Sequence, residues 1–225
     1  MRKDVHKLSA FFPRPNANMD KDLDVLNWPD ARDLAVQYGA LLSAIDFSVY
    51  SAQRPLKLLD LGCGLGLLLD WLAENKLLGS VDYTGVDLVE PILETVRRRW
   101  PNQRFERLDV REEPFPDDAF DYCIACGIFT VKHGNTYDET LNLAQQTLRA
   151  IWSSVSLGLA FNSMSKHVDW ERDDLFHWPL DEIMAFCKRD LSRHVTFKLD
   201  SGRWDVCTLV HKQPLPRPGK VPHRW

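Results

Sequence analysis

The stretch Leu56–Leu69, LKLLDLGCGLGLLL, constrains this chain more than any other. An apolar run reaches Asp60, glycines follow at 62, 64 and 66, and apolar residues then resume at helical spacing. Strand, tight glycine turn and helix N-terminus form the opening unit of an open α/β sheet of the kind that holds a nucleotide at its strand ends. Glycine lacks a Cβ, so the backbone can turn sharply there and a ligand can press against it. A dinucleotide fingerprint wants glycine or alanine at position 67, where this chain has Leu67. A dinucleotide oxidoreductase is thereby demoted.

The following residues alternate strand and helix. Apolar runs predict strands near 56–61, 82–86, 103–107, 120–125 and 157–162. Leu65, Leu68, Leu69 and Leu72 share one helical face, and a second helix starts at Pro91 and carries Ile92, Val96 and Trp100. Arg97, Arg98 and Arg99 fall in its last turn, where cations complement the helix dipole. A long helix is expected over 138–156, an irregular stretch over 163–178, and a further helix through Leu180, Ile183, Met184, Cys187 and Leu191. Runs near 194–199 and 205–211 are close enough to pair through Asp200, Ser201 and Gly202. The rhythm predicts a doubly wound, seven-stranded, mainly parallel α/β sheet with a closing antiparallel hairpin.

Three parts are expected. Residues 1–50 form a polar arm and a helical segment in which Leu34, Tyr38, Leu41, Leu42 and Ile45 recur, with Pro29 in the first turn. Residues 51–212 form the sheet domain, and 213–225 a Pro-rich, basic, extended tail. The net charge of −4 argues against a dedicated nucleic-acid binder. No 18-residue apolar run predicts a membrane span, and the first residues lack the apolar core of a secretory signal. Five cysteines at scattered positions suggest free thiols and a cytoplasmic protein.

Asp87 lies 21 residues beyond Gly66 at the expected end of the second strand, and Asp109 follows the third in Leu-Asp-Val. Alone, each aspartate reads as a turn or helix cap. Together with DLGCGLG at these offsets they resemble the cofactor-binding core of class I S-adenosylmethionine (SAM) methyltransferases, over residues 56–162. The resemblance implies a Rossmann-like methyltransferase fold with SAM as cofactor. By position, Asp60, Gly62, Cys63 and Gly64 would surround its methionine end, Asp87 and Leu88 its ribose, and Asp109 and Val110 its adenine. Cys126 and Gly127 would lie beneath the transferable methyl. ACGIFTVK, with the later Ala160-Phe161-Asn162, is also similar to a group of small bacterial members.

The fourth strand lacks the Asn/Asp-Pro-Pro-aromatic motif of enzymes that methylate base amines, and the carboxylate of metal-dependent catechol-type relatives. The expected reaction is transfer to an oxygen or nitrogen of a small molecule, with no metal and no membrane partner. An RNA or protein methyltransferase, or a SAM-binding regulatory or partner subunit without activity, are the alternatives. His133 is the candidate base and Lys132 can orient an anionic substrate, against the reading of both as solvated loop residues. Phe129, Asn162 and Trp170 are substrate-side candidates, with Asn162 alternatively capping a turn.

Other features are weaker. Cys123 and Cys126 have CxxC spacing, but residues three apart on a strand face opposite ways, so neither a redox pair nor a shared metal follows. Asp169, Asp173 and Asp174 read as a solvated acidic loop rather than a metal site. Trp170, Phe176 and Trp178 suggest a lid over the substrate or, alternatively, anchors for the loop. Trp28 and Tyr38 either cover the cofactor or pack in the core.

Overall fold

The computed structural model describes residues 30–215; the polar arm, Trp28, Pro29 and positions 216–225 lie outside the described residues. Asp30 caps the first helix, α1 (Ala31–Leu42), by accepting from the Arg32 N–H at 2.8 Å. Strand β1 (Leu56–Leu61) then leads through the glycine turn into α2 (Leu67–Glu74), β2 (Val81–Asp87), α3 (Glu90–Arg99) and β3 (Arg104–Arg107). Next come β4 (Phe120–Phe129), α4 (Tyr137–Trp152), β5 (Val155–Ser165) and the short β6 (His177–Trp178). Helix α5 (Leu180–Phe186), a π-helical turn (Cys187–Leu191), β7 (His194–Lys198) and β8 (Asp205–His211) complete the order.

The sheet runs β3-β2-β1-β4-β5-β8-β7, with β6 beside the end of β5. β1 to β5 are parallel, β8 is antiparallel to β5, and β7 to β8. The seven expected strands thus lie on one path, and β6 adds an eighth inside the stretch expected to be irregular. Each chain face has its own core. Leu56 and Leu58 of β1 pack with Leu34, Tyr38 and Leu41 of α1 and Leu68, Leu69 and Leu72 of α2. Leu59 and Leu61 pack on the other face with Ala144, Leu148 and Ile151 of α4 and Ile183 and Phe186 of α5. This period-two division buries both faces, as a doubly wound sheet requires. Cys123 and Cys126 fall on opposite faces.

Several boundaries differ from the sequence expectation. β4 continues to Phe129, with a register shift against β5 between Ala125 and Phe129, so it bulges at its carboxyl end. α4 ends at Trp152 instead of 156, because Val155 is already paired with Phe120 in the sheet. The arginines of α3 do more than complement a dipole. Arg97 ion-pairs with Glu90, and Arg99 donates to Asp70 of α2 and to the Leu65 carbonyl, tying the helix to the exit of the glycine turn. Among the described residues no helix is long and apolar enough to cross a membrane.

Candidate active site

The chain goes from β1 outward to β2 and β3, then returns to place β4 on the other side of β1. That reversal opens a crevice at the carboxyl ends of the strands. A cavity of about 620 Å³ lies there, within the size range of small-molecule sites.

The glycine turn forms one wall. Gly62 has φ +76° and Gly64 φ +52°, both left-handed, and the Gly62 and Cys63 N–H groups donate to the Val86 carbonyl at 2.8 and 3.0 Å. A Cβ on Gly62 would stand 2.2 Å from Ile128 Cγ2, so a side chain there would collide with the end of β4. Asp87, at the end of β2, fastens this turn. Its Oδ2 accepts from the Gly64 N–H at 3.0 Å and its Oδ1 from the Val89 N–H at 2.9 Å. Burial raises its carboxyl above the ordinary range, opposed by these backbone N–H bonds.

Gly62, Cys63, Gly64, Asp87, Leu88, Asp109, Val110, Cys126, Phe129, Lys132, His133, Asn162 and Trp170 all line the cavity. Asp60 does not. It is 2% exposed beneath the turn, accepts from the Tyr83 hydroxyl at 2.7 Å, and burial raises its carboxyl to about 7. Asp109 is held by Arg111, whose Nε and Nη2 donate to its two oxygens at 2.8 and 2.6 Å. Burial pushes the Cys63 and Cys126 thiols well above their ordinary value, which keeps them neutral.

Beyond β4, Lys132 donates its backbone N–H to the Asp174 carbonyl at 2.8 Å, and Phe176 donates to Thr130. These bonds hold the His133 loop against the stretch after β5. His133 sits at φ +50°, uncommon for a residue with a Cβ, and burial lowers its imidazole pKa, favouring the neutral ring at pH 7. Asn162 is committed inside the protein: its Oδ1 accepts from Gly127 N–H and its Nδ2 donates to Asp205 Oδ2, both at 2.7 Å.

The aromatic residues of the 163–178 stretch divide. Phe176 and Trp178 are fully buried with Phe161 and Phe186, so they anchor the loop and are no lid. Trp170 is 38% exposed, lines the cavity and meets Trp204 edge-on at 5.6 Å. Tyr38 both lines the cavity and belongs to the core. Sequence reasoning passed over Asp33, Arg203, Trp204 and Asp205. None belongs to a motif, and only the closing hairpin and α1 bring them here.

Residues 58–151 match the model of the methyltransferase domain family. A Mycobacterium tuberculosis (strain ATCC 25618 / H37Rv) protein with a methyltransferase designation, Rv1506c, is 29% identical over 166 residues, covering 73% of this chain and 98% of that one. Among solved structures, human N-acetylserotonin methyltransferase in complex with SAM aligns with a TM-score of 0.61 at 15% identity, over 87% of this chain and 56% of that one. Magnesium protoporphyrin IX methyltransferase from Synechocystis PCC 6803 with bound S-adenosylhomocysteine aligns at 0.58 and 11% identity, over 93% and 94%. The structural likenesses establish the fold, and the domain match adds the chemistry. A glycine turn with no room for a Cβ, bonded directly to a buried carboxylate on the same cavity wall, fits the cofactor such domains use. The matched domain, the methyltransferase-named relative and the fold together support a SAM-dependent methyltransferase.

Proposed function

We infer that this enzyme transfers the methyl group of SAM to an oxygen or nitrogen of a small molecule. The observation that carries the cofactor reading is the bond between Gly64 N–H and Asp87 Oδ2 at the cavity wall. It brings the glycine turn and the carboxylate together at one cavity wall. SAM supplies an electrophilic methyl carbon on a sulfonium. The protein's work is to align the nucleophile, exclude water and accept a proton where one is released.

Asp87 and Leu88 hold the ribose in this reading, Gly62, Cys63 and Gly64 the methionine end, and Val110 the adenine side. Asp109 acts there as a partner of Arg111. Asp60 supports the turn from below through Tyr83. Neutral His133 accepts the acceptor's proton, and Lys132 orients an anionic group. Residues 51–212 carry the reaction, and α1 of the preceding segment adds Asp33 and Tyr38 to the cavity wall.

A small acceptor is favoured over RNA by the cavity's charges. Arg111, Arg172 and Arg203 are ion-paired with Asp109, Asp174 and Asp33. Among the described residues these pairs neutralise three of the cavity's basic side chains, which disfavours a phosphate backbone. Asp87→Ala is the direct test. Its carboxylate serves two N–H groups in the described structure and two ribose hydroxyls in this reading. With charged-group hydrogen bonds contributing about 1.5–3 kcal/mol each, SAM affinity should fall by roughly 100-fold or more in calorimetry. Unchanged affinity removes Asp87 from the ribose.

A further inference from the structure

Asp205 opens β8, lines the cavity and is 4% exposed, yet the function above gives it no task. Its Oδ2 accepts from Asn162 Nδ2, and Asn162 Oδ1 accepts from Gly127 N–H, so the carboxylate is oriented from the cavity floor. Its Oδ1 accepts no hydrogen bond of good geometry. Arg203 Nε stands 3.4 Å from it, at ion-pair distance, while Arg203 Nη1 is drawn to Asp33 Oδ2 at 2.6 Å. A buried carboxylate oxygen whose neighbouring cation stands at the long end of contact distance gains from a ligand that brings a closer, better aligned donor.

The position separates this group from the cofactor half of the crevice. β8 is three strands from β1 in the sheet order, roughly 14 Å at the usual spacing. The glycine turn and Asp87 belong to β1 and β2, whereas Asp205 shares the other half with Met164, Trp170 and Trp204. Trp204 is 58% exposed and offers ring surface beside the carboxylate. Aromatic faces favour flat apolar groups and cations.

We propose that Asp205 is the acceptor-binding carboxylate: its Oδ1 takes a hydrogen bond from an ammonium or hydroxyl group on a ring-bearing methyl acceptor, in the place now held by Arg203. This rests on the methyltransferase reading of the cavity. Arg203 is a stand-in cation, kept nearby by Asp33 and displaced when the acceptor enters. Asn162 is a positioning residue that aims the carboxylate.

The test uses the full chain loaded with S-adenosylhomocysteine and ligand-observed NMR with benzylamine, benzyl alcohol, toluene and benzoate. Cofactor-product binding is measured first by calorimetry. Its failure with the unaltered protein sinks the cofactor reading, a result distinct from any failure of the acceptor site. Benzylamine or benzyl alcohol should bind more tightly than toluene, and whichever binds better assigns the donor as amine or hydroxyl. Asp205→Asn should weaken that probe about tenfold or more and leave S-adenosylhomocysteine affinity within about twofold. Arg203→Met should tighten the probe several-fold by removing the competing cation, and decides the matter if Asp205→Asn does not fold. The proposal is overturned if neither donor probe outbinds toluene, or if benzoate alone does. It also fails if affinity is the same in Asp205→Asn, if Arg203→Met brings no gain, or if Asp205→Asn loses the cofactor product instead.

Discussion

Gly62→Ala separates two physical effects that coincide at the cavity wall. The residue sits at φ +76°, where an alanine in place of glycine is strained by about 1–2 kcal/mol. The new methyl would also stand 2.2 Å from Ile128 Cγ2, and relieving such overpacking costs about 1–3 kcal/mol. The lower entropy of the unfolded alanine chain returns about 0.4–1 kcal/mol. The variant should therefore lose roughly 2–4 kcal/mol in urea unfolding. Ile128→Ala removes the obstructing methyl, so Gly62→Ala made in that background should cost only the backbone share, roughly 1 kcal/mol. The difference between the two backgrounds is the steric part. Equal losses in both backgrounds, or an unaltered midpoint in the single variant, would refute the crowding seen between this turn and the end of β4.

Other consequences follow from the same geometry. Asp60 has a folded-state pKa of about 7, raised from 3.8 by burial. The folded form therefore holds the proton more firmly than the unfolded one. The stability this gives is fully present below pH 4 and is lost as pH rises to about 7, up to roughly 4 kcal/mol. Asp60→Asn should flatten that part of a pH series of unfolding midpoints, and an unchanged slope would exclude Asp60 as its source. Tyr83→Phe removes the bond that favours the ionised carboxylate, so the same window should move upward. If His133 takes the acceptor's proton, His133→Ala should lower kcat by about 100-fold or more without changing SAM affinity. The parent's kcat should fall with acidity only below the ordinary imidazole range, since burial lowers this group; full turnover in the variant would eliminate it. Thr136 and Glu139 form a reciprocal capping box at the start of α4, and Thr136→Ala should cost about 1 kcal/mol in unfolding, without effect on SAM binding.

Local pattern made part of this molecule legible. The run from Leu56 to Leu69 contains its own strand, turn and helix start, because burial and glycine's freedom act over a few residues. The apolar run of β1 likewise announced a buried strand. Boundaries were harder wherever pairing decided them. Val155 joins the sheet because Phe120 waits beside it, and β6 exists only because the end of β5 offers an edge. Trp170, Phe176 and Trp178 look alike as letters. Two became core and one lines the cavity, which depends on what packs above them.

Short-range spacing alone brings Gly62, Gly64 and Asp87 to consecutive strand ends, so the glycine-turn half of the crevice is readable from the residues in order. The opposite half depends on how the sheet closes. There β8 inserts antiparallel between β5 and β7 and sets Asp205 against Asn162, 43 residues away in the chain, while α1 delivers Asp33 to Arg203. Adjacency of that kind arises from strand order and sheet closure, which no spacing between neighbouring residues encodes.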